Sequence, residues 1–310
     1  MIEDIRNDTR SGATALTVRA ARILGEIAER SEASDPETFW SELIDAGREL
    51  IEAKREMASI VNLVGRVLAA AETPLLSGLP AVAGKRAVIA ACEETVAFSA
   101  KDLDRVGRNA AGLLPDEARV ATLSSSAAVL ASFEAALAAG KRVGALVGES
   151  RPAREGVDLA GRLVGAGVAT TVVVDAALPG LAAGCDAALV GADSISESEF
   201  VNKIGTRPLL LAAREAGIPS YVAAPTDRLI TGALRGEPGR GHPPAEVLED
   251  GPAGVATENP YFEPVPLDLV TAIATEDGIL TPEDAASRIA ATAVAPGLLA
   301  VLFGGRLPEA

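Results

Sequence analysis

"RVATLSSSAAVLASFEAALAAGKRVGALVGESRP", residues 119–152, decides the fold. It opens with a short β-branched run, passes into an apolar helical stretch, and closes on a second short run with a polar end. Strand, helix and strand in that space make one βαβ unit, whose crossover helix returns the chain so that the two strands lie parallel. The pattern repeats towards the C-terminus. "TTVVVD", "DAALVGAD", "SYVAA" and "VTAIAT" read as further strands, and "GVDLAGRLVGAG" as a helix between them. Apolar residues run through these strands without alternation, which predicts burial on both faces of the sheet.

Upstream the period is helical. "ATALTVRAARILGEIAER" sets Leu16, Ala20, Ile23, Leu24 and Ile27 along one face. "DPETFWSELIDAGRELIEAK" begins with Asp35 before Pro36, a helix N-terminal signal. "MASIVNLVGRVLAAAE" and "KRAVIAACEETVAFSAKDLDRVGRNAAGLL" follow, divided by the Pro and Gly of "TPLLSGLPAVAG". The period changes near Pro115. The expectation is an α/β chain: an N-terminal helical domain over residues 1–115, then a domain with a mostly parallel sheet over 116–310. "RGEPGRGHPPAEVLEDGPAG" reads as a long surface loop.

The 310 residues are 48% hydrophobic, enough for a full core without disulfides or metal. The formal charge of −15 repels polyanions, so nucleic acid is excluded as a direct partner. The two cysteines, Cys92 and Cys185, have no metal-binding spacing. No metal and no cofactor is expected, since the glycines of "GLAAGCDAALVGAD" do not fit a dinucleotide fingerprint. "MIEDIRNDTRSG" lacks the apolar stretch of a signal peptide, and apolar runs of membrane length are broken by Gly, Pro or charge. These features point to a cytoplasmic protein with no membrane partner.

Ligands of open parallel sheets bind outside the carboxyl ends of the strands. Here those ends read "TLSSS", "VGESRP", "VVVDAA", "VGADS" and "AAPTDR". Ser124, Ser125, Ser126, Arg151 and Asp193 are therefore candidates for one crevice. In "VGADSISESEFVNKIGTRPLLLAA", residues 190–213, Asn202 and Lys203 read as opening the helix after the next loop, where an anion is well held. Each residue has a plainer use. The serines can cap a helix, Asp193 can cap a helix or turn, Arg151 can pair with an acid in a loop, and Lys203 can be a solvated charge. His242 lies in the Pro-rich loop and reads as a surface residue rather than a base.

"GADSISESEFVNKIGT", with "GESRPAREGVDLAGRLVGAGV", "VVVDAAL", "YVAAPTDR" and "ENPYFEPVPLDLVTAIATEDGILTP", resembles one superfamily. It joins the alpha, beta and delta subunits of initiation factor 2B to the aldose-phosphate isomerases of ribose 1,5-bisphosphate and methylthioribose 1-phosphate. "RSGATAL" resembles the isomerases' "RGA" phosphate motif, with Ser11 inserted, and "AKREMAS" their second arginine motif. The resemblance implies a Rossmann-like second domain and a homodimer or higher homo-oligomer, and the apolar run "ATAVAPGLLAVLFGG" is expected to supply self-association. It also implies site roles. Asp193 matches the aspartate that moves a proton between C1 and C2. Asn202 and Lys203 match the substrate-binding pair, and Arg10, Gly12, Ala13, Arg55 and Arg151 match residues lining the phosphate and sugar pocket. Isomerases typically read "THC" where this chain has Thr122, Leu123 and Ser124, so Ser124 stands at the position of the catalytic cysteine. A thiol ionises near neutrality and a serine hydroxyl does not.

The sequence therefore supports a protein that binds a phosphorylated sugar or nucleotide monophosphate. It is read either as an aldose-phosphate isomerase or a derivative with Ser124 for cysteine, or as a regulatory subunit that senses such a ligand. A subunit with a vestigial pocket is the third reading.

Overall fold

The computed structural model describes residues 1–239, 242–252 and 254–303. Five helices come first: α1 (Ile2–Arg6), α2 (Ala13–Arg30), α3 (Pro36–Ala53), α4 (Ala58–Leu76) and α5 (Ala81–Leu113). Strands then alternate with helices: β1 (Arg119–Thr122), α6 (Ala127–Ala138), β2 (Gly144–Gly148), α7 (Glu155–Gly165), β3 (Ala169–Val173), α8 (Leu178–Ala182) and β4 (Ala187–Val190). After them come β5 (Ser194–Ile195), β6 (Glu199–Lys203), α9 (Thr206–Ala216), β7 (Ser220–Ala223), β8 (Phe262–Pro266), β9 (Ala272–Thr275) and β10 (Gly278–Leu280). α10 (Pro282–Ala290) and α11 (Pro296–Phe303) close the described chain. The fold is α/β, with a helical N-terminal region and a mostly parallel sheet. No described strand precedes Arg119.

The chain forms two compact units: Met1–Lys101 with the segment from Ala291 onward, and Asp102–Ala290. In the helical unit, α2 buries Leu16, Ala20, Ala21, Ile23, Leu24 and Ala28, while Ile27 is half-buried. α3 starts as its sequence dictates: the Asp35 carboxylate accepts from the Thr38 N–H at 2.8 Å and Pro36 occupies the first turn. α4 has the length and apolarity of a membrane span by composition alone, yet Ile60, Leu63, Val64, Val67 and Leu68 are buried in this unit.

α11 bears on two expectations. A β-carbon added at Gly65 would sit 3.2 Å from Leu298, and one at Gly297 would sit 2.8 Å from Trp40. Leu298 and Gly297 of the apolar run therefore pack on α4 and α3 of their own chain, while Leu299 is exposed. The run also leaves the sheet region for the helical unit, whereas the expected sheet domain ran to residue 310. Residues 304–310 lie outside the described residues.

The second unit holds a seven-stranded sheet of order β10-β9-β7-β4-β1-β2-β3, parallel except for β10 on β9. Successive residues of each central strand enter two different cores. Val120, Ala145 and Leu189 pack with Phe133 of α6 and Leu163 of α7 on one face. Ala121, Leu146 and Val190 pack with Leu178 of α8, Leu209 of α9 and Ile289 of α10 on the other. Burial on both faces explains the unbroken apolar runs. β3 departs from this rule: it is the sheet's outer strand, and Val172 is exposed. A second, antiparallel sheet of order β5-β6-β8 follows β4 and was not legible in the sequence.

Candidate functional site

The main sheet reverses direction at β1. The chain steps from β1 to β2 and β3 on one side, then returns to place β4, β7 and β9 on the other. In such sheets the crevice opens where the strand order reverses, at the carboxyl ends. β1 ends at Thr122 and β4 at Val190, so Ser124 and Asp193 lie just beyond the two strands that flank this point.

Ser124 sits in a left-handed backbone conformation, φ 62°, and so does Ser150 at the end of β2, φ 64°. Such non-glycine residues cost about 1–3 kcal/mol each and persist where surrounding bonds hold them. Those bonds are present. The Ser124 N–H donates to Ser150 Oγ at 2.7 Å, and Ser150 N–H donates to Asp175 Oδ1 at 2.7 Å. Arg151 N–H donates to Asp175 Oδ2 at 2.7 Å. Asp175, just past β3, thus fixes two strand ends with one carboxylate. Gly156 lets α7 come this close: an added β-carbon would lie 1.8 Å from the Gly148 carbonyl oxygen. Ser126 caps α6 through Val129 N–H at 3.3 Å and fills the space a β-carbon at Gly191 would need. Ser125 is half-buried beside it.

The half-buried Asp193 is tied to β6 by its N–H, which donates to the Val201 carbonyl at 2.9 Å. β6 overturns the expectation for Asn202 and Lys203. They do not open a helix; they are the last residues of a strand paired with β8, and α9 starts at Thr206. "EFVNK" is too short to show a period, and its strand state comes from a partner about sixty positions later in the chain. Gly205, φ 99°, makes the turn that separates strand from helix. Asn202 Nδ2 donates to Thr206 Oγ1 at 2.9 Å.

Lys203 is not a solvated charge. Its side chain is 2% exposed, its ammonium donates to Glu155 Oε1 at 2.7 Å, and it lies 4.5 Å from the centre of the Tyr261 ring. Removing one member of such a buried pair costs about 3–5 kcal/mol. Tyr261 in turn donates to Glu246 Oε2, which also accepts from Asn259 Nδ2 at 2.8 Å. Burial first, and then the Glu246 carboxylate, raises the Tyr261 hydroxyl above the ordinary phenol range, so it stays a donor. Arg151 Nη2 donates to the Glu246 carbonyl at 3.0 Å, and the His242 ring stacks on Tyr261 at 3.6 Å. The Pro-rich segment is thereby fastened to this edge. Most of its described residues are exposed, as expected of a surface loop, while His242 and Glu246 are half-buried.

Arg151, Lys203 and Asn202 are thus linked to one carboxyl edge with Ser124 and Asp193. Glu155, Tyr261, Glu246 and Asp175 complete it. Of these only Asp175 was visible beforehand, as a strand end; a lone Glu or Tyr carries no pattern. Three buried oxygens here, Thr122 Oγ1, Glu155 Oε2 and Ser194 Oγ, meet no hydrogen-bond partner among the described residues. Among the described residues no three His, Cys, Asp or Glu side chains gather as a metal site.

The remaining candidates lie in the helical unit. Gly12 precedes α2 and Ala13 begins it, while Arg10 and Arg55 are exposed. The Asp8 carboxylate organises this loop, accepting from the N–H groups of Ser11 (2.8 Å) and Arg10 (3.0 Å) and from Arg19 Nη1 (2.5 Å). Burial opposes ionisation of Asp8, but these donors outweigh it and lower its pKa to about 2. Lys54 Nζ donates to the Asp8 carbonyl at 2.7 Å, so the stretches carrying Arg10 and Arg55 are bound to each other.

Most of the chain matches a known family. The profile of the Initiation factor 2 subunit family matches residues 9–282. The chain belongs to that family. It is 34% identical over 279 residues to a ribose 1,5-bisphosphate isomerase of Haloferax volcanii, covering 88% of this chain and 85% of that one. It is 32% identical over 297 residues to a methylthioribose-1-phosphate isomerase of Chloroflexus aurantiacus, covering 90% and 85%. Among solved structures, the translation initiation factor eIF-2B of Pyrococcus horikoshii OT3 superposes with a TM-score of 0.78 at 25% identity, covering 91% of this chain and 95% of that one.

Proposed function

We propose that this family member is an aldose–ketose isomerase acting on a phosphorylated sugar. One observation carries the reading: Ser124 and Asp193 flank the switch point of the sheet, backed by Asn202 and Lys203. The names of the two isomerase relatives support it. Asp193 is the base that takes a proton from C2 of the open-chain aldose and returns it at C1, while the O2 proton passes to O1, leaving the ketose. Ser124 hydrogen-bonds a sugar oxygen during ring opening, as a weaker acid than the thiol it replaces. Asn202 and Arg151 hold substrate oxygens. In the helical unit, the N–H groups at the start of α2, with Arg10 and Arg55, form a phosphate-binding loop.

The test is a coupled ketose assay on ribose 1,5-bisphosphate and methylthioribose 1-phosphate, with calorimetry on the same compounds. The wild type turns over at least one of them. Asp193→Asn loses about two to four orders of magnitude in rate and still binds. Binding without turnover by the wild type would favour the second reading, a sensor like the initiation-factor subunits, which the serine at position 124 supports.

A further inference from the structure

The cations at the carboxyl edge of the sheet are not equivalent. Arg154 pairs with Glu149 at 3.4 Å, Arg228 with Asp227 at 2.5 Å, and Lys203 with Glu155 at 2.7 Å. The Arg151 guanidinium meets a carbonyl instead, so its charge is not cancelled by the contact it makes. Lys203 and Glu155 are both largely buried, and Glu155 Oε2 meets no partner among the described residues. A phosphate brought near Lys203 would feel that carboxylate at short range, where solvent screens little. An uncharged sugar hydroxyl meets no such repulsion.

We propose that Glu155 is a specificity-determining residue. It cancels the charge of Lys203, so that this end of the site selects an uncharged, hydroxyl-bearing carbon over a second phosphate. The substrate class is then a sugar monophosphate rather than a bisphosphate. This rests on the sugar-phosphate reading above and deepens it. The two relatives bracket the alternatives, since one is named for a bisphosphate and the other for a monophosphate.

Affinities for ribose 1-phosphate and ribose 1,5-bisphosphate decide it, measured by calorimetry on the wild type, Glu155→Gln and Glu155→Asp. The amide of Glu155→Gln still accepts from Lys203 but carries no charge. The wild type should prefer the monophosphate by about tenfold or more, as like-charge contacts in partly buried sites impose. Glu155→Gln should erase or invert that preference, and Glu155→Asp should keep it. A purely structural role would weaken both ligands together and leave the ratio unchanged. Wild-type preference for the bisphosphate, or an unchanged ratio in Glu155→Gln, overturns the inference while the isomerase reading stands. Failure of the wild type to bind either compound overturns both.

Discussion

Asp8 in the helical unit and Glu155 in the sheet unit are both acids near the start of a helix, each facing a basic side chain. Their surroundings differ. Asp8 accepts from two backbone N–H groups and Arg19, which gives both of its oxygens partners. Glu155 has one oxygen on Lys203 and one that meets no partner among the described residues. A carboxylate with both oxygens partnered stabilises the loop around it. A buried one with an unpartnered oxygen costs free energy. The contrast separates scaffold from site more sharply than charge or exposure does.

The strongest way to break this contrast is to disturb the packing that sets Glu155 in place. Gly156→Ala would drive a β-carbon into the Gly148 carbonyl, so α7 must shift. A loss of about 3 kcal/mol is expected, at the upper end of overpacking costs. Unchanged urea denaturation would mean that α7 does not seat as closely as described.

Asp8→Asn tests the scaffold side. Its pKa falls from 3.8 to about 2, which corresponds to about 2 kcal/mol of stability. For a depressed carboxylate that contribution is present above the unfolded value and lost as pH falls from about 4 through 2. Asp8→Asn should therefore lower stability by about 2 kcal/mol at neutral pH and flatten the acid limb of the stability curve. Parallel wild-type and variant curves between pH 5 and 2 (roughly the span over which the linkage acts) would contradict the assignment.

Ser124→Cys sharpens the site side at the smallest energetic scale. Restoring an ionisable group should raise any isomerase rate by about tenfold or more, a modest share of a full acid–base role. The serine is held in its left-handed turn by backbone contacts, so the exchange should leave the melting temperature nearly unchanged. A fall in turnover would show that the hydroxyl itself takes part in the chemistry.

Much of this was legible before any coordinates. The helical stripe of α2, the cap of α3, the six strands "RVATLS" to "VTAIAT" and their polar ends all follow from local rules, since side-chain period and cap chemistry act over a few residues. From them follows the parallel sheet, and with it the carboxyl edge on which Ser124, Arg151 and Asp193 lie. Tertiary structure decided what depends on distant partners. "EFVNK" is a strand because β8 pairs with it, and Lys203 is buried because α7 brings Glu155 to it and Tyr261 covers it. In "PGLLAVLF", Gly297 and Leu298 pack on α3 and α4 of their own chain, a partner that the apolar run by itself does not name. A sequence shows how apolar a face is and how often it recurs. Which surface meets that face is set by contacts tens to hundreds of residues apart, and local periodicity carries no record of them.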